Sequence, residues 1–382
     1  MGRLKNRIRI DRHEFAGSFG DIGTDFPLIT GMILAGGLDA ASVLIMFGVM
    51  QVMTGFLYGL PMPAQPLKAV AVLVIAGGVT PEVLYGGGLA IGLAMLLLTL
   101  TGLIAWLDRR IPKAVVRGIQ VGLGLKLAEL ALGDYVQAAG LEGYLLAAVC
   151  FALVLALGGS RRLPAALPVI ALGIVYGLVS SPGTAGIGSM FGFALPQPRV
   201  PTPEHVLEGF LVLGLAQLPL SLGNSLFATR QLAHDLLGRE IGVRKIAFTY
   251  SAMNLVNPFL SGVPTCHGSG GMAGHYAFGA RTGGAPLIYG ALYLGLGLFL
   301  SRGFDQVVHL FPLPVLGVIL LFEGLALARL VRDMTGDAFQ LGLVLLVALC
   351  ALALPYGFLV GLVAGTAVHY AGRGRSWLGD PR

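Results

Sequence analysis

Charged residues are scarce in this sequence. Asp, Glu, Lys and Arg make up 12% of the 382 residues, whereas soluble domains carry about 25%. Hydrophobic residues make up 55% of the chain. A chain with so little charge lacks the side chains for a water-facing surface. Its composition therefore excludes a soluble globular protein and predicts a membrane protein that crosses the bilayer several times.

Other absences narrow the class of function. The three cysteines, Cys150, Cys266 and Cys350, lie far apart in apolar surroundings and predict no disulfide framework. No second pair of Cys and His stands at ligand spacing, so we expect neither a metal site nor a cofactor. The sequence contains no GxxxxGK[ST] loop, so we do not expect ATP to drive its function.

Glycine, by contrast, is abundant, with 58 residues, and it concentrates in a polar break between two apolar segments. This break reads GVPTCHGSGGMAGHYAFG and covers Gly262 to Gly279. Backbone of this kind survives at membrane depth only where it is buried in protein or lines a polar cavity. A helix that begins near Gly268 would direct free N–H groups and the positive end of its dipole into that cavity. The break therefore predicts an anion site.

A second break, GLPMPAQPLK at Gly59 to Lys68, lies between apolar runs in the first half of the chain. A shift of 203 positions superposes it on the other break, and the same shift carries Asp21 onto Asn224. One offset that joins two separate motifs indicates an internal repeat. Paired segments interrupted by Gly and Pro in two halves are the best sequence sign of a transporter's binding site.

Apolar segments predict seven membrane spans in each half, fourteen in all. The first seven lie near 15–37, 40–60, 66–80, 85–107, 114–133, 141–158 and 164–180. The second seven lie near 206–229, 245–262, 267–280, 284–301, 306–328, 337–354 and 355–372. Spans 3 and 10 are predicted half-helices, each preceded by a short extended strand. An odd number of spans per repeat inverts one half relative to the other, so the predicted fold class is an all-α polytopic membrane protein with a 7+7 inverted repeat.

The distribution of positive charge provides an independent test of this topology. If the N-terminus is cytoplasmic, the Lys and Arg residues fall in cytoplasmic loops and termini, apart from Arg199 and Arg302 in outer loops and Lys68 and Lys126 within spans. This bias follows the positive-inside rule and predicts that both termini are cytoplasmic. It also accounts for the net charge of +6, so we expect no nucleic-acid partner.

Six motifs spread over nearly the whole chain resemble a known family. They are GDIGTDFPL (Gly20–Leu28), PMPAQPLKAVA (Pro61–Ala71), VVRGIQ (Val115–Gln120), PLSLGNS (Pro219–Ser225), GVPTCHGSGGMAGHYAFGAR (Gly262–Arg281) and FPLPVLGVILLFEGLAL (Phe311–Leu327). Together they look like the molybdate transporter family of plants, algae and bacteria, a distant branch of the sulfate permease group.

The resemblance implies the inverted-repeat fold of sulfate and uracil permeases, with the substrate between spans 3 and 10 and a homodimer as the usual assembly. The core domain would comprise residues 13–107 (spans 1–4) and 205–301 (spans 8–11). The gate domain would comprise residues 108–204 (spans 5–7) and 302–372 (spans 12–14). Cytoplasmic segments would cover 1–12 and 373–382. The protein would lie in the lipid bilayer of the inner or plasma membrane.

Candidate substrate-binding residues gather at the two breaks and at repeat-related segments. Hydroxyl, amide, imidazole and backbone N–H groups donate hydrogen bonds to an oxyanion, and a buried lysine adds positive charge. The candidates are Thr24, Gln65, Lys68, Gln217, Asn224, Ser225, Thr265, Cys266, His267, Gly268, Ser269 and Gly270. The competing interpretation of the second break is a structural one, in which its Cys and His only pack. For Lys68 it is an ion pair with Asp21, Asp25 or Glu82.

Three acidic residues, Asp21, Asp25 and Glu323, are candidates for proton coupling because they stand in apolar segments. An alternative role for Glu323 is to bridge the dimer or the boundary between core and gate. Lys126 and Glu129 are three residues apart, and we expect them to pair on one helix face.

The sequence thus predicts a secondary-active transporter for a tetrahedral oxyanion, molybdate first and sulfate or tungstate next, and not an enzyme. Import of two negative charges against an inside-negative potential costs about 4–5 kcal/mol per 100 mV, so we expect coupled protons. One alternative keeps the fold and changes the substrate to a nucleobase or bicarbonate. Another is an intramembrane enzyme with Cys266 as nucleophile and His267 as base.

Overall fold

The computed structural model of the chain is mostly helical. It describes residues 7–75, 79–157, 165–180, 191–304, 312–354 and 356–372. The predicted tail at 373–382 and residues 1–6 of the predicted N-terminal segment lie outside the described residues. So do parts of the predicted spans, at 76–78, 158, 164, 306–311 and 355.

The first half of the chain contains helices α1 to α9 and one short strand. The helices are α1 (Arg12–Ser18), α2 (Ile22–Gly36), α3 (Ala40–Tyr58), α4 (Lys68–Ile75), α5 (Pro81–Leu100), α6 (Leu103–Arg110), α7 (Lys113–Leu130), α8 (Gly140–Leu157) and α9 (Ala166–Ser180). Strand β1 (Gln65–Pro66) precedes α4. A 3-10 turn (Phe19–Asp21) joins α1 to α2, and a π-helical turn (Ala131–Tyr135) extends α7.

The second half contains helices α10 to α18 and a second short strand. The helices are α10 (Pro203–Gly209), α11 (Leu215–Leu220), α12 (Thr229–Leu237), α13 (Val243–Val256), α14 (Ser269–Ala277), α15 (Gly284–Phe299), α16 (Leu313–Ala328), α17 (Ala338–Ala353) and α18 (Gly357–Gly372). Strand β2 (Thr265–Cys266) precedes α14. π-helical segments (Phe210–Gly214 and Ser221–Ala228) connect α10, α11 and α12 into one bent helix.

Local sequence sets the ends of several of these helices. Asp39 Oδ2 accepts a hydrogen bond from Ser42 N at 2.8 Å and caps the start of α3, where the first N–H groups have no partner within the helix. At the start of α5, the hydroxyl oxygen of Thr80 accepts one from Val83 N at 3.4 Å. Helix α3 ends at Gly59, whose φ of 62° is a left-handed conformation that favours glycine.

Four helical segments within the described residues are long and apolar enough to cross a membrane: Ala40–Tyr58, Pro81–Leu100, Gly140–Leu157 and Leu313–Met334. The pair Pro203–Leu218 and Ser221–Leu237, which is bent by 51°, is a fifth candidate. The chain is therefore a multi-pass membrane protein, while the count of fourteen spans stays a prediction.

The helices pack in two groups that meet at α16. In one group α3 packs along α15, and α5 packs along α10 and α13; in the other α7 packs along α16, α17 and α18. Gly124 of α7 and Gly324 of α16 face each other so closely that a Cβ on either would lie 2.5 Å from the carbonyl oxygen of the other. Helix α16 also contacts α2 and α14, so it joins the second group to the two breaks.

Candidate functional site

The two polar breaks meet in a two-stranded antiparallel ladder. Gln65 pairs with Cys266 and Pro66 with Thr265, and Leu67 N donates to the carbonyl oxygen of Pro264 at 3.0 Å. Helix α4 begins two residues after β1 and helix α14 begins three residues after β2. Because both helices leave the same ladder, their N-terminal ends converge, and each end carries N–H groups without a partner in the helix and the positive end of a helix dipole.

In each break, one amide side chain that the sequence analysis missed holds the extended backbone. Gln51 Nε2 donates to the carbonyl oxygen of Ala64 at 2.8 Å, and Gln51 Oε1 accepts from Ala64 N at 3.2 Å. In the other half Asn254 Nδ2 donates to the carbonyl oxygen of Thr265 at 2.7 Å, and its Oδ1 accepts from Thr265 N at 2.9 Å. Residues 51 and 254 are 203 positions apart. The repeat offset in the sequence could therefore have identified them as a related pair.

Three fully buried carboxyl groups, Asp21, Asp25 and Glu323, form what we call the carboxylate cluster. Gln65 Nε2 donates to Asp21 Oδ1 at 2.6 Å, and Thr24 donates to Glu323 Oε2 at 3.0 Å. Within the described part of the chain, Asp21 Oδ2, Glu323 Oε1 and both oxygens of Asp25 accept no hydrogen bond. Buried carboxyl oxygens are rarely left without a donor, so this cluster stands apart from ordinary packing.

Lys68, the first residue of α4, lies beside the carboxylate cluster. Its charge interacts with those of all three carboxyl groups, yet its buried Nζ makes no hydrogen bond or ion pair with any residue that the structure describes. Glu82, one of the alternative partners named above, pairs instead with Arg199. Lys68 therefore keeps all three of its N–H donors available.

The first turn of α14 consists of small residues that let acceptor oxygens approach its backbone. A Cβ at Gly268 would overlap Gln65 Oε1, one at Gly270 would overlap Glu323 Oε1, and one at Gly271 would overlap Asp21 Oδ2. Ser269, between these glycines, donates to Asn224 Oδ1 at 2.6 Å. The structure thus brings Gln65, Ser269, Gly270 and Asn224 together around the start of α14.

His267 differs from its predicted role as a donor to the anion. Its Nε2 lies 2.7 Å from the hydroxyl oxygen of Thr249 and its Nδ1 lies 3.0 Å from the carbonyl oxygen of Pro63. Tyr58 packs edge-on against the imidazole at 5.5 Å between ring centroids. Both ring nitrogens are engaged within the protein, so His267 holds the break together. It is not free to serve as a base for Cys266.

Of the remaining predicted binding residues, some hold the backbone by hydrogen bonds and one has a hydroxyl group without a hydrogen-bond partner. Thr265 is held by Asn254, as above. Gln217 Oε1 accepts from Ala69 N at 3.0 Å and so supports the start of α4. Ser225 Oγ is buried and makes no hydrogen bond with the described residues. Ser225 and Asn224 stand in a π-helical segment, a distortion that is frequent at functional sites. No cluster suited to a metal ion occurs in the described part of the chain.

A cavity of about 820 Å³ leads to this region between α2, α4, α7, α11 and α18. Lys68 and Thr24 are among the residues that line it, so the start of α4 is reachable from the cavity. Most of the other lining residues are leucine and other apolar side chains.

Comparison with known sequences shows which proteins this chain resembles. The chain matches the family described as "Molybdate transporter of MFS superfamily" over residues 13–127 and 209–327. It is similar to molybdate transporter 2 of Arabidopsis thaliana, with 31% identity over 95% of this chain and 89% of that protein. Molybdate transporter 1 of the same plant is 32% identical over 93% of this chain and 87% of that protein. Molybdate transporter 1 of Chlamydomonas reinhardtii is 28% identical over 93% and 91%.

Two solved structures share the fold. The chain superposes on SLC26A9 with a TM-score of 0.58 and 13% identity, over 94% of this chain and 64% of that chain. It superposes on the transmembrane domain of the cyanobacterial bicarbonate transporter BicA with a TM-score of 0.56 and 15% identity, over 92% and 96%. At such identities these likenesses establish the fold alone.

The relatives are transporters and not enzymes, which removes the alternative that used Cys266 as a nucleophile. The sequence match covers more than half of the chain, and the structural match shows a fold like that of SLC26A9. The chain therefore belongs to the molybdate transporter family.

Proposed function

We propose that this chain is a secondary-active, proton-coupled transporter of a tetrahedral oxyanion, molybdate first and sulfate or tungstate next. The observation that carries the proposal is the buried ammonium of Lys68, which lacks an ion pair and stands beside three buried carboxyl groups. An ionisable group at membrane depth without a partner indicates a ligand. Membership of the molybdate transporter family supports an anion as that ligand.

The anion would bind between the starts of α4 and α14. There the N-terminal N–H groups of both helices and the Lys68 ammonium supply positive potential. Gln65 and Ser225 carry donor groups at the same place: Gln65 Nε2 has a second N–H besides the one that Asp21 accepts, and Ser225 Oγ has no hydrogen-bond partner among the described residues. The Thr24 hydroxyl would join them on release from Glu323. A tetrahedral dianion offers four oxygen atoms, which suits donors that arrive from several elements.

Proton coupling follows from the carboxylate cluster. Two unit charges 4 Å apart repel each other by about 4 kcal/mol at an effective dielectric constant of 20. A dianion beside three ionised carboxylates would be strongly repelled, so protons must neutralise some of them when it binds. The Thr24–Glu323 hydrogen bond joins α2 to α16, so relative movement of these helices would change the surroundings of Glu323 and release a proton.

We further propose that α2 and α16 belong to different moving bodies. The core domain would comprise residues 13–107 and 205–301, and the gate domain residues 108–204 and 302–372. Packing supports this division because α3 with α15 and α5 with α10 fall within the core, and α7 with α17 within the gate. Fourteen spans, cytoplasmic termini, a homodimer and a location in the inner or plasma membrane complete the proposal.

Within the described residues, the first break offers a nucleobase no open aromatic face. A base needs an aromatic face to stack on, and Tyr58, the aromatic residue beside the first break, packs on His267 and lies 2.5 Å from the Thr249 hydroxyl. The likeness to a bicarbonate transporter concerns the fold and not the site.

Equilibrium binding to the purified protein tests the proposal. Molybdate, tungstate and sulfate should each raise the midpoint of thermal unfolding, while uracil should not. Calorimetric titrations in buffers of different ionisation enthalpy should show that protons are taken up as the anion binds. Stabilisation by uracil alone, or oxyanion binding without proton uptake, would overturn the substrate or the coupling respectively.

A further inference from the structure

Two lysines line the same cavity at different depths. Lys68 is half-buried as a residue, but its Nζ is buried. Lys126, on α7, lines the cavity as well and is half-buried. Among the described lining residues these two carry the only formal charges. Lys126 Nζ, unlike Lys68 Nζ, is not among the buried atoms without a partner, so Lys126 is the lysine that an anion entering the cavity meets first.

The predicted pair between Lys126 and Glu129 does not form. Lys126 Nζ instead lies 5.5 Å from the centre of the Phe358 ring, a cation–π arrangement. Within the described ranges it makes no ion pair, and Glu129 is exposed. A ring holds an ammonium in place without accepting its hydrogen bonds in the way a carboxylate does. Lys126 is therefore positioned and still able to donate.

The backbone beside Phe358 is itself unusual. Tyr356 lines the cavity and has a φ of 53°, a left-handed conformation that residues with a Cβ seldom adopt. Conformations of this kind cluster at ligand-binding sites. Tyr356 and Phe358 flank Gly357 at the start of α18, and both line the cavity that Lys126 lines.

We propose that Lys126, with Phe358 and Tyr356, forms an outer binding site that holds the oxyanion before it moves to Lys68. This inference rests on the proposed function and adds a second site to it. An anion that enters an apolar cavity loses hydration, and a lysine without a counter-ion compensates for part of that loss. Walls of low dielectric focus the field of such a charge and raise the local concentration of an anionic substrate.

The test compares Lys126→Gln with the parent in proteoliposomes that take up labelled molybdate. We expect kcat/KM to fall by on the order of tenfold, through a higher KM with kcat almost unchanged, and the dependence of uptake on ionic strength to weaken. Lys126→Arg should restore both. Arg239→Gln is the matched control because it removes the same charge from an exposed residue outside the cavity; it should leave KM unchanged.

Phe358→Leu keeps the charge and the apolar volume but removes the ring. It should raise KM by a smaller factor than Lys126→Gln, which provides a second measurement if the lysine variant folds poorly. An unchanged KM in both variants, or an equal rise in Arg239→Gln, would overturn the outer site. If the parent takes up no oxyanion, the proposed function fails as well; if it takes one up and the cavity variants match it, only the outer site fails.

Discussion

Two clusters of buried charge in this molecule are built in opposite ways. The first, which we call the Arg117 network, joins α7 to α12 and to the 3-10 turn (Arg329–Met334) after α16. Arg117 is 2% exposed and forms ion pairs of 2.6 Å with Asp235 and with Asp333. Its Nε donates to Asp333 Oδ1 at 3.0 Å. Its Nη1, which pairs with Asp235, also donates to Gln120 Oε1 at 2.9 Å. Every nitrogen of the guanidinium group thus has an acceptor.

The carboxylate cluster with Lys68 is the reverse case. Lys68 Nζ together with four carboxyl oxygens has no hydrogen-bond partner among the described residues. A buried charge without a partner costs free energy, and the Arg117 network demonstrates that this chain can satisfy buried charge. The difference indicates that the first cluster stabilises the fold, whereas the second is kept open for protons and an anion.

Crowding the open cluster should have the largest effect on function. A valine in Gly270→Val would overlap Glu323 Oε1 and obstruct the start of α14, so molybdate should no longer raise the thermal unfolding midpoint. Gly133→Val is the matched control, because a Cβ at Gly133 meets no atom within 4 Å. Parent-like molybdate binding by Gly270→Val would show that the anion is held elsewhere.

Breaking the satisfied network should reduce stability most. Arg117→Met leaves Asp235 and Asp333 without their shared partner. Asp333 is 35% exposed and keeps Lys113 at 2.8 Å, so we expect a loss of about 1.5–3 kcal/mol, the range for hydrogen bonds to charged groups. The thermal unfolding midpoint in detergent should fall clearly, and Arg117→Lys should fall less because the charge remains. A midpoint equal to that of the parent would mean that the network contributes nothing to the fold.

Removing the cation of the open cluster should affect binding and not folding. Lys68→Met is expected to weaken molybdate binding by about 2–5 kcal/mol, whereas the unfolding midpoint should change little, since Lys68 makes no ion pair with a described residue. Isothermal titration and thermal unfolding on the same preparation separate the two effects. Tight binding by this variant would take Lys68 out of the site.

The same substitution in the two clusters should have effects of opposite sign. Asp25→Asn removes a buried carboxyl group that stands beside Asp21 and should leave stability unchanged or raise it by about 0.5–2 kcal/mol, while proton-driven uptake is lost. Asp235→Asn removes an ion pair with Arg117 and should lower stability by about 1–3 kcal/mol. Unfolding midpoints that move in the same direction for both variants would erase the distinction between the clusters.

The sequence predicted the polar breaks and most of the residues near them, because Gly and Pro at membrane depth leave backbone groups that must be satisfied. It did not predict the direction of side chains. The position of His267 at a helix start is compatible with a ring that faces an anion or with one that faces Thr249, and only tertiary packing decides. The two acidic partners of Arg117 lie more than a hundred residues away in sequence. Helical periodicity carries no information over such a separation.

Uptake of labelled molybdate into proteoliposomes under an imposed pH gradient, with the membrane potential clamped at zero, tests the central claim most directly. The account predicts that an inward proton gradient stimulates uptake, that protons enter with the anion, and that excess tungstate or sulfate competes while uracil does not. It also predicts that Asp25→Asn loses the response to the gradient. Uptake that is indifferent to pH and strictly follows sodium would contradict proton coupling through the carboxylate cluster.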